Sequence, residues 1–263
     1  DFVANVSHEI RTPLTVLAGF VETLQTLNLE ESERQQYLAL MAQQADRMQT
    51  LVSDLLTLSR LEGSAPPGVD THVSVPTLMR QLEADALALS QVMGSLGDTD
   101  HQFEFDIAFN GNLAGVPSEL LSAMGNLVSN AVRYTPAGAR ISVSVNQRAD
   151  GCLVFSVADT GPGIAAEHLG RLTERFYRVD RSRSRETGGT GLGLAIVKHV
   201  AQRHGAILSI ESTVGKGSVF SLIFPALRVV PATVMADAHT GAGNLFVPPD
   251  APEHAATASQ SSG

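Results

Sequence analysis

Apolar residues at Phe2, Val6, Ile10, Leu14, Leu17, Val21 and Leu24 recur at intervals of four and three, which traces one stripe along a helix. A polar break from Asn28 to Ser32 follows, and a second stripe then runs through Leu38, Met41, Ala45, Met48, Val52 and Leu55. This pattern continues to Leu61 and stops at Gly63, with Pro66-Pro67 just beyond. Both stripes exceed the usual globular helix of about 10–14 residues. A short turn between them makes an antiparallel hairpin. Alone, such a hairpin leaves part of each stripe wet, so the pattern predicts a homodimer that closes a four-helix bundle.

The period changes after "SAPPGVDTHVS", residues 64–74, which has the composition of a linker. Val75 to Met93 is helical in pattern, and "HQFEFDIAF" alternates as a strand does. Ser118 to Tyr134 is a further helix with Ser118 as candidate N-cap. Strands are expected at 140–147 and 152–159, around a turn at Asp150-Gly151, and again at 206–212 and 218–224. A helix from Leu192 to His204 precedes the last two, closed by Gly205. This order predicts an α+β two-layer sandwich, its sheet covered on one face by helices. The expected division is an all-α hairpin at 1–63, a linker at 64–74, a second domain at 75–226 and a tail at 227–263. From Pro231 the chain is rich in Ala, Thr, Ser, Pro and Gly without periodicity, and disorder is expected there.

Composition narrows the classes. The chain is 43% apolar and 17% charged, with no apolar run long enough to span a bilayer. Its net charge of -9 argues against a dominant nucleic-acid surface. Cys152 is the only cysteine, which excludes an internal disulfide and fits a reducing compartment. The chain opens at Asp1, without Met and already in a helical pattern, as a fragment lacking an N-terminal portion would.

Chemistry first concentrates in "VSHEIRTP". His8 lies two positions from both Val6 and Ile10, so it points away from the apolar stripe, and Thr12 shares its face. A lone outward histidine is ordinarily just solvated, but these neighbours are chemical. Glu9 can accept a proton from one ring nitrogen and leave the other nucleophilic. Pro13 frees the Glu9 carbonyl, so a bend is expected there.

In the second domain, Asn126, Asn130 and Arg133 fall on one helix face. Amide oxygens are hard ligands that suit Mg²⁺, although such a stripe alone is equally a polar surface. "DTGPGI" ends a strand, where Asp159 can accept a hydrogen bond from an exocyclic amine and glycines admit a flat ring. "TGGTGLGLAIVK" leads glycines into a helix N-terminus, a setting that favours phosphate. Between these lies "RLTERFYRVDRSRSRE", basic enough to close over a polyphosphate, with Phe176 and Tyr177 as anchors.

"SHEIRTPL" resembles the H-box of two-component sensor histidine kinases, and the four later segments resemble the N, G1, F and G2 boxes of their catalytic domains. The resemblance covers residues 1 to about 226. It implies a dimerisation and phosphotransfer hairpin followed by a GHKL (Bergerat-type) ATP-binding sandwich, the fold shared with Hsp90, gyrase B and MutL. It makes His8 the phosphoacceptor, Glu9 the base and Thr12 part of a Glu-x-x-Thr pattern for dephosphorylating a response regulator. Carried over likewise, Asn126 and Asn130 hold Mg²⁺ and phosphate, and Arg133 stands where many relatives have Lys. Asp159 reads the adenine amine and Gly161 and Gly163 line its pocket, while Tyr134 and Ile164 also belong to the nucleotide site. Arg178 meets the γ-phosphate, Gly189, Gly191 and Gly193 cradle phosphates, and Thr190 and Leu192 belong to the same nucleotide site.

Implied partners are ATP, Mg²⁺, a second copy of the chain and a receiver domain docking near Thr15, Ala18, Gly19 and Glu22. The 64–74 linker would let the second domain swing toward His8. The missing N-terminal region would anchor the full-length protein in the bacterial inner membrane, leaving this fragment in the cytoplasm. Two other classes compete: an ATPase clamp of the Hsp90 or MutL kind, and a catalytically silent dimeric scaffold. A clamp usually places a Glu one turn before the Mg²⁺-binding Asn; here that position is Asn126.

Overall fold

The computed structural model describes residues 2–94, 101–179 and 189–232. Helices α1 (Phe2–Thr26) and α2 (Glu31–Gly63) form the hairpin. Glu30 caps α2 through a reciprocal arrangement in which its backbone N–H donates to Glu33 Oε2 at 3.1 Å. Helix α1 runs unbroken through Pro13, which is its one buried residue. The expected disturbance is therefore limited to the missing backbone donor, and the ring contributes packing. Leu14, Val21, Leu38 and Val52, all members of the sequence stripes, remain exposed along the hairpin.

Next come β1 (His72–Ser74), α3 (Val75–Gly94), β2 (Gln102–Ile107), β3 (Asn112–Ala114) and α4 (Pro117–Tyr134). Strands β4 (Arg140–Gln147) and β5 (Leu153–Asp159) and the one-turn α5 (Ala166–Leu169) follow. Helix α6 (Gly193–Arg203) precedes β6 (Ile207–Thr213), β7 (Gly217–Phe224), a 3-10 turn at Ala226–Arg228 and β8 (Val229–Val230). Five strands make a sheet in the order β2-β4-β5-β7-β6, antiparallel except for the parallel β2–β4 pair. Alternation decides its faces. Ile141, Val143, Val145, Leu153, Phe155, Val157, Leu222 and Phe224 are almost wholly buried in the core shared with α3, α4 and α6. Ser156 and Ser221 meet on the opposite face at 2.7 Å.

Three features depart from the sequence expectations. Val116, not Ser118, caps α4, and Pro117 occupies the first turn, where its missing N–H costs nothing. Strand β1 takes the last three residues of the expected linker, and β8 lies past the expected end of the domain at 226. Both join β3 in a small antiparallel sheet of order β1-β3-β8. The tail in which disorder is expected, with its apolar stretch Leu245-Phe246-Val247, and Arg181, Arg183 and Arg185 of the basic segment lie outside the described residues.

The connection at 64–74 is also fastened rather than loose. Arg203 grips Glu119 through two 2.9 Å bonds and donates its remaining nitrogen to the carbonyls of Leu61 (3.1 Å) and Ser64 (2.6 Å). Arg228 donates to the carbonyls of Pro67 (2.9 Å), Gly68 (3.0 Å) and Ala114 (3.1 Å). Leu51, Leu58 and Leu61 of α2 belong to the same buried core as α6. In this arrangement the end of α2 is part of the second domain's body.

Candidate functional site

His8 is exposed on α1, as the stripe predicts. Thr12 Oγ1 donates to the His8 backbone carbonyl at 3.1 Å, so its hydroxyl is engaged by the turn before it. Glu9 is turned across the hairpin, with Arg47 Nη2 at 3.4 Å from Oε2. Its carboxylate thus faces α2 in this conformation. Arg47 carried no signal in the sequence, where it is one cation on the flank of a long stripe.

The second half of α4 presents Asn126, Asn130 and Arg133, each half-buried. Asn126 spends its amide N–H on the Ser122 carbonyl at 2.8 Å. Its Oδ1 is thereby free to face α6, where a Cβ on Gly193 would collide with it. Beside the start of α6, that carbonyl oxygen would suit a hard, partly hydrated cation. The donor set fits Mg²⁺ held by amide and phosphate oxygens; among the described residues no cluster of three His, Cys, Asp or Glu exists to hold a metal otherwise.

Asp159 ends β5, and its Oδ1 accepts the Gly161 N–H at 2.8 Å. Burial pushes its carboxyl up, against hydrogen bonds from Gly161 and Ser218 that favour the charge. Gly163 has φ +69°, and a side chain there would strike the Thr213 carbonyl, so only glycine serves. The Ile164 N–H donates to Ser212 Oγ at 2.8 Å, tying this loop to β6. Two residues here escaped the sequence reading. Ser218 supports Asp159 from β7, at a position expected only to begin a strand. Thr135 is buried, its Oγ1 has no hydrogen-bond partner among the described residues, and it lies 3.3 Å from where a Gly161 Cβ would stand. An orphaned hydroxyl beside a carboxylate and a glycine matches a pocket for a polar ring edge.

The glycine-rich segment packs on both. A Cβ on Gly189 would lie 3.0 Å from Tyr134 Oη, and Gly191, at φ +74°, abuts Phe176. Phe176 itself has φ 64° and donates its N–H to the Gly191 carbonyl at 2.8 Å, which pins the base of the arginine-rich segment to the loop. Arg178 is hydrogen-bonded to Tyr134; burial lowers its pKa, and it feels the opposed charges of Arg47 and Glu9. Leu192 is fully buried ahead of α6, and Thr190 Oγ1 accepts its N–H at 3.3 Å. The same hydroxyl donates to Asp54 Oδ2 at 2.6 Å, a contact from α2 that the sequence did not suggest.

Residues 1–64 match the His Kinase A (phospho-acceptor) domain, and residues 115–228 match the histidine kinase-, DNA gyrase B- and HSP90-like ATPase domain. The phosphate regulon sensor protein PhoR of Pseudomonas aeruginosa is 50% identical over 234 residues, which are 88% of this chain and 51% of PhoR. The sensor-like histidine kinase SenX3 of Mycobacterium tuberculosis is 38% identical over 227 residues, 86% of this chain and 54% of SenX3. The chain thus spans about half the length of the curated relatives it matches. Among solved structures, full-length ShkA in complex with AMPPNP aligns at 28% identity with a TM-score of 0.60, covering 87% of this chain and 46% of ShkA. ThkA, solved with the response regulator TrrA, shares the fold at 22% identity and a TM-score of 0.63, over 86% of this chain and 61% of that one. The hairpin bearing His8 and the sandwich bearing the cleft make this chain a member of the sensor histidine kinases, a transmitter region similar to that of PhoR.

Proposed function

We propose that this chain transfers the γ-phosphoryl group of ATP to His8 and from there to an aspartate of a response regulator. The observation that carries the reading is an exposed imidazole on α1 together with the Asn126 amide oxygen aimed at the glycine-lined start of α6. Asp159 and the Thr135 edge receive the base, while the start of α6, Asn126, Asn130 and Arg133 receive the phosphates. Mg²⁺ supplies charge neutralisation on the phosphate chain when bound. Rate enhancement is then mainly positioning and charge compensation. Glu9, once released from Arg47, holds the proton of one His8 nitrogen so that the other attacks.

The same face supports removal of phosphate from the regulator. Thr12 would turn its hydroxyl from the His8 carbonyl to orient a water. The likeness to PhoR extends the proposal to phosphate-starvation signalling by a homodimer. In the full-length protein a preceding region would anchor it in the inner membrane; no helix among the described residues is long and apolar enough to cross one. An ATPase clamp is disfavoured because Asn126, one turn before Asn130, offers no carboxylate to activate water. Incubation with labelled Mg·ATP tests the reading. An acid-labile, base-stable label that disappears in His8→Ala is expected; a label that survives this change, or none at all, overturns it.

A further inference from the structure

We propose that Asp54, contributed by the hairpin, is a residue of the nucleotide site: its carboxylate takes the anion position of the phosphate loop and weakens binding according to the charge on the phosphate chain. The inference rests on the nucleotide reading above. Thr190 is 8% exposed, and its hydroxyl stands at the entrance to α6, where it accepts the Leu192 N–H. A threonine hydroxyl has one proton to give. Here it goes to Asp54 Oδ2 at 2.6 Å, so a phosphate oxygen and this carboxylate cannot both receive it.

The surroundings are those an anion needs. Beside the Thr190 donor are the N-terminal end of α6, with its favourable dipole, and Arg133, whose charge acts on the same carboxylate. Burial opposes the charge on Asp54, while Thr190 and Arg133 favour it. A carboxylate held this way presents to the loop the same acceptor oxygens and negative charge as a phosphate. It arrives on α2 between Leu51 and Leu58, both buried, so it enters only while the hairpin is docked. Docking and triphosphate binding therefore oppose one another, and by linkage each weakens the other by the same factor.

Equilibrium titration of the whole chain with adenosine, Mg·ADP and Mg·ATP tests this, using wild type, Asp54→Asn and Asp54→Ala. The asparagine keeps an acceptor oxygen and removes the charge. Both variants are expected to bind ATP about five- to tenfold more tightly, ADP by a smaller factor and adenosine unchanged, as removal of one nearby charge in a partly screened site requires. An equal gain for adenosine would mean a loosened cleft and overturn the proposal, as would unchanged or weaker ATP binding in Asp54→Asn. Wild type that binds no ATP would instead overturn the nucleotide reading itself.

Discussion

At the scale of single residues, histidines show how differently one side chain is used. His8 stands in solvent on α1, whereas His204 is fully buried at the end of α6. His204 Nδ1 lies 2.9 Å from the Val200 carbonyl and Nε2 accepts the Val116 N–H at 3.3 Å, which fixes a neutral tautomer. Burial lowers its pKa below 6.5, with Arg228 and Arg203 adding to that and Val200 and Glu119 opposing. The native state therefore refuses a proton that the unfolded chain accepts. This stability is present above about pH 6.5 and is lost as pH falls from there toward the native value, at up to about 1.4 kcal/mol per unit. Urea midpoints at pH 8, 7, 6 and 5 should fall more steeply for wild type than for His204→Asn, which keeps a donor but does not titrate. Parallel curves would assign the acid sensitivity elsewhere. Local spacing made His8, Asn126 and Asp159 readable in the sequence. His204, Ser218, Arg47 and Asp54 were not, because each acquires its role from a partner distant in the chain; Thr135 was not, because only its burial beside Gly161 marks it out.

At the scale of elements, long periodic segments were legible and short paired ones were not. The hairpin, α3, α4, α6 and strands β4 to β7 carry enough repeats for a period to show. Strands β1, β3 and β8 are two or three residues each, too short for alternation, and exist through mutual pairing. Their omission made 64–74 look like a free hinge. Arg203 corrects that picture. Its side chain is 10% exposed and that of Glu119 16%, so the pair is largely desolvated. The same guanidinium covers the Leu61 carbonyl at the end of α2, which otherwise lacks an intrahelical partner. Arg203→Ala strands Glu119 and two carbonyls together. A loss on the order of 3 kcal/mol is expected, with faster hydrogen exchange over residues 61–68. Arg203→Lys keeps the charge without the fork and should fall between. Unaltered exchange at 61–68 in the alanine variant would show that Arg228 and β1 hold this segment by themselves.

At the scale of the whole molecule, α2 has two apolar sides with different fates. Leu51, Leu58 and Leu61 are buried in the core shared with α6, while Val52 and Leu56 are 47% and 52% exposed. Further toward the turn, Leu38 is 45% exposed, and across the hairpin Leu14 and Val21 are 48% and 39% exposed. A run of large apolar side chains along both helices is what one half of a bundle looks like without its other half. A second copy is self-complementary to it through a two-fold axis. Val21 and Leu38 lie near the closed end of the hairpin, away from Asp54 and the segment gripped by Arg203. Val21→Glu combined with Leu38→Glu places four carboxylates per dimer in that seam, where charges are costly to bury. Sedimentation equilibrium should find wild type dimeric and the double variant monomeric at micromolar concentration, with nucleotide binding retained because the cleft is untouched. A variant that stays dimeric would mean that these side chains face solvent in the assembly. One that loses nucleotide binding together with dimerisation would show that the cleft depends on the second copy.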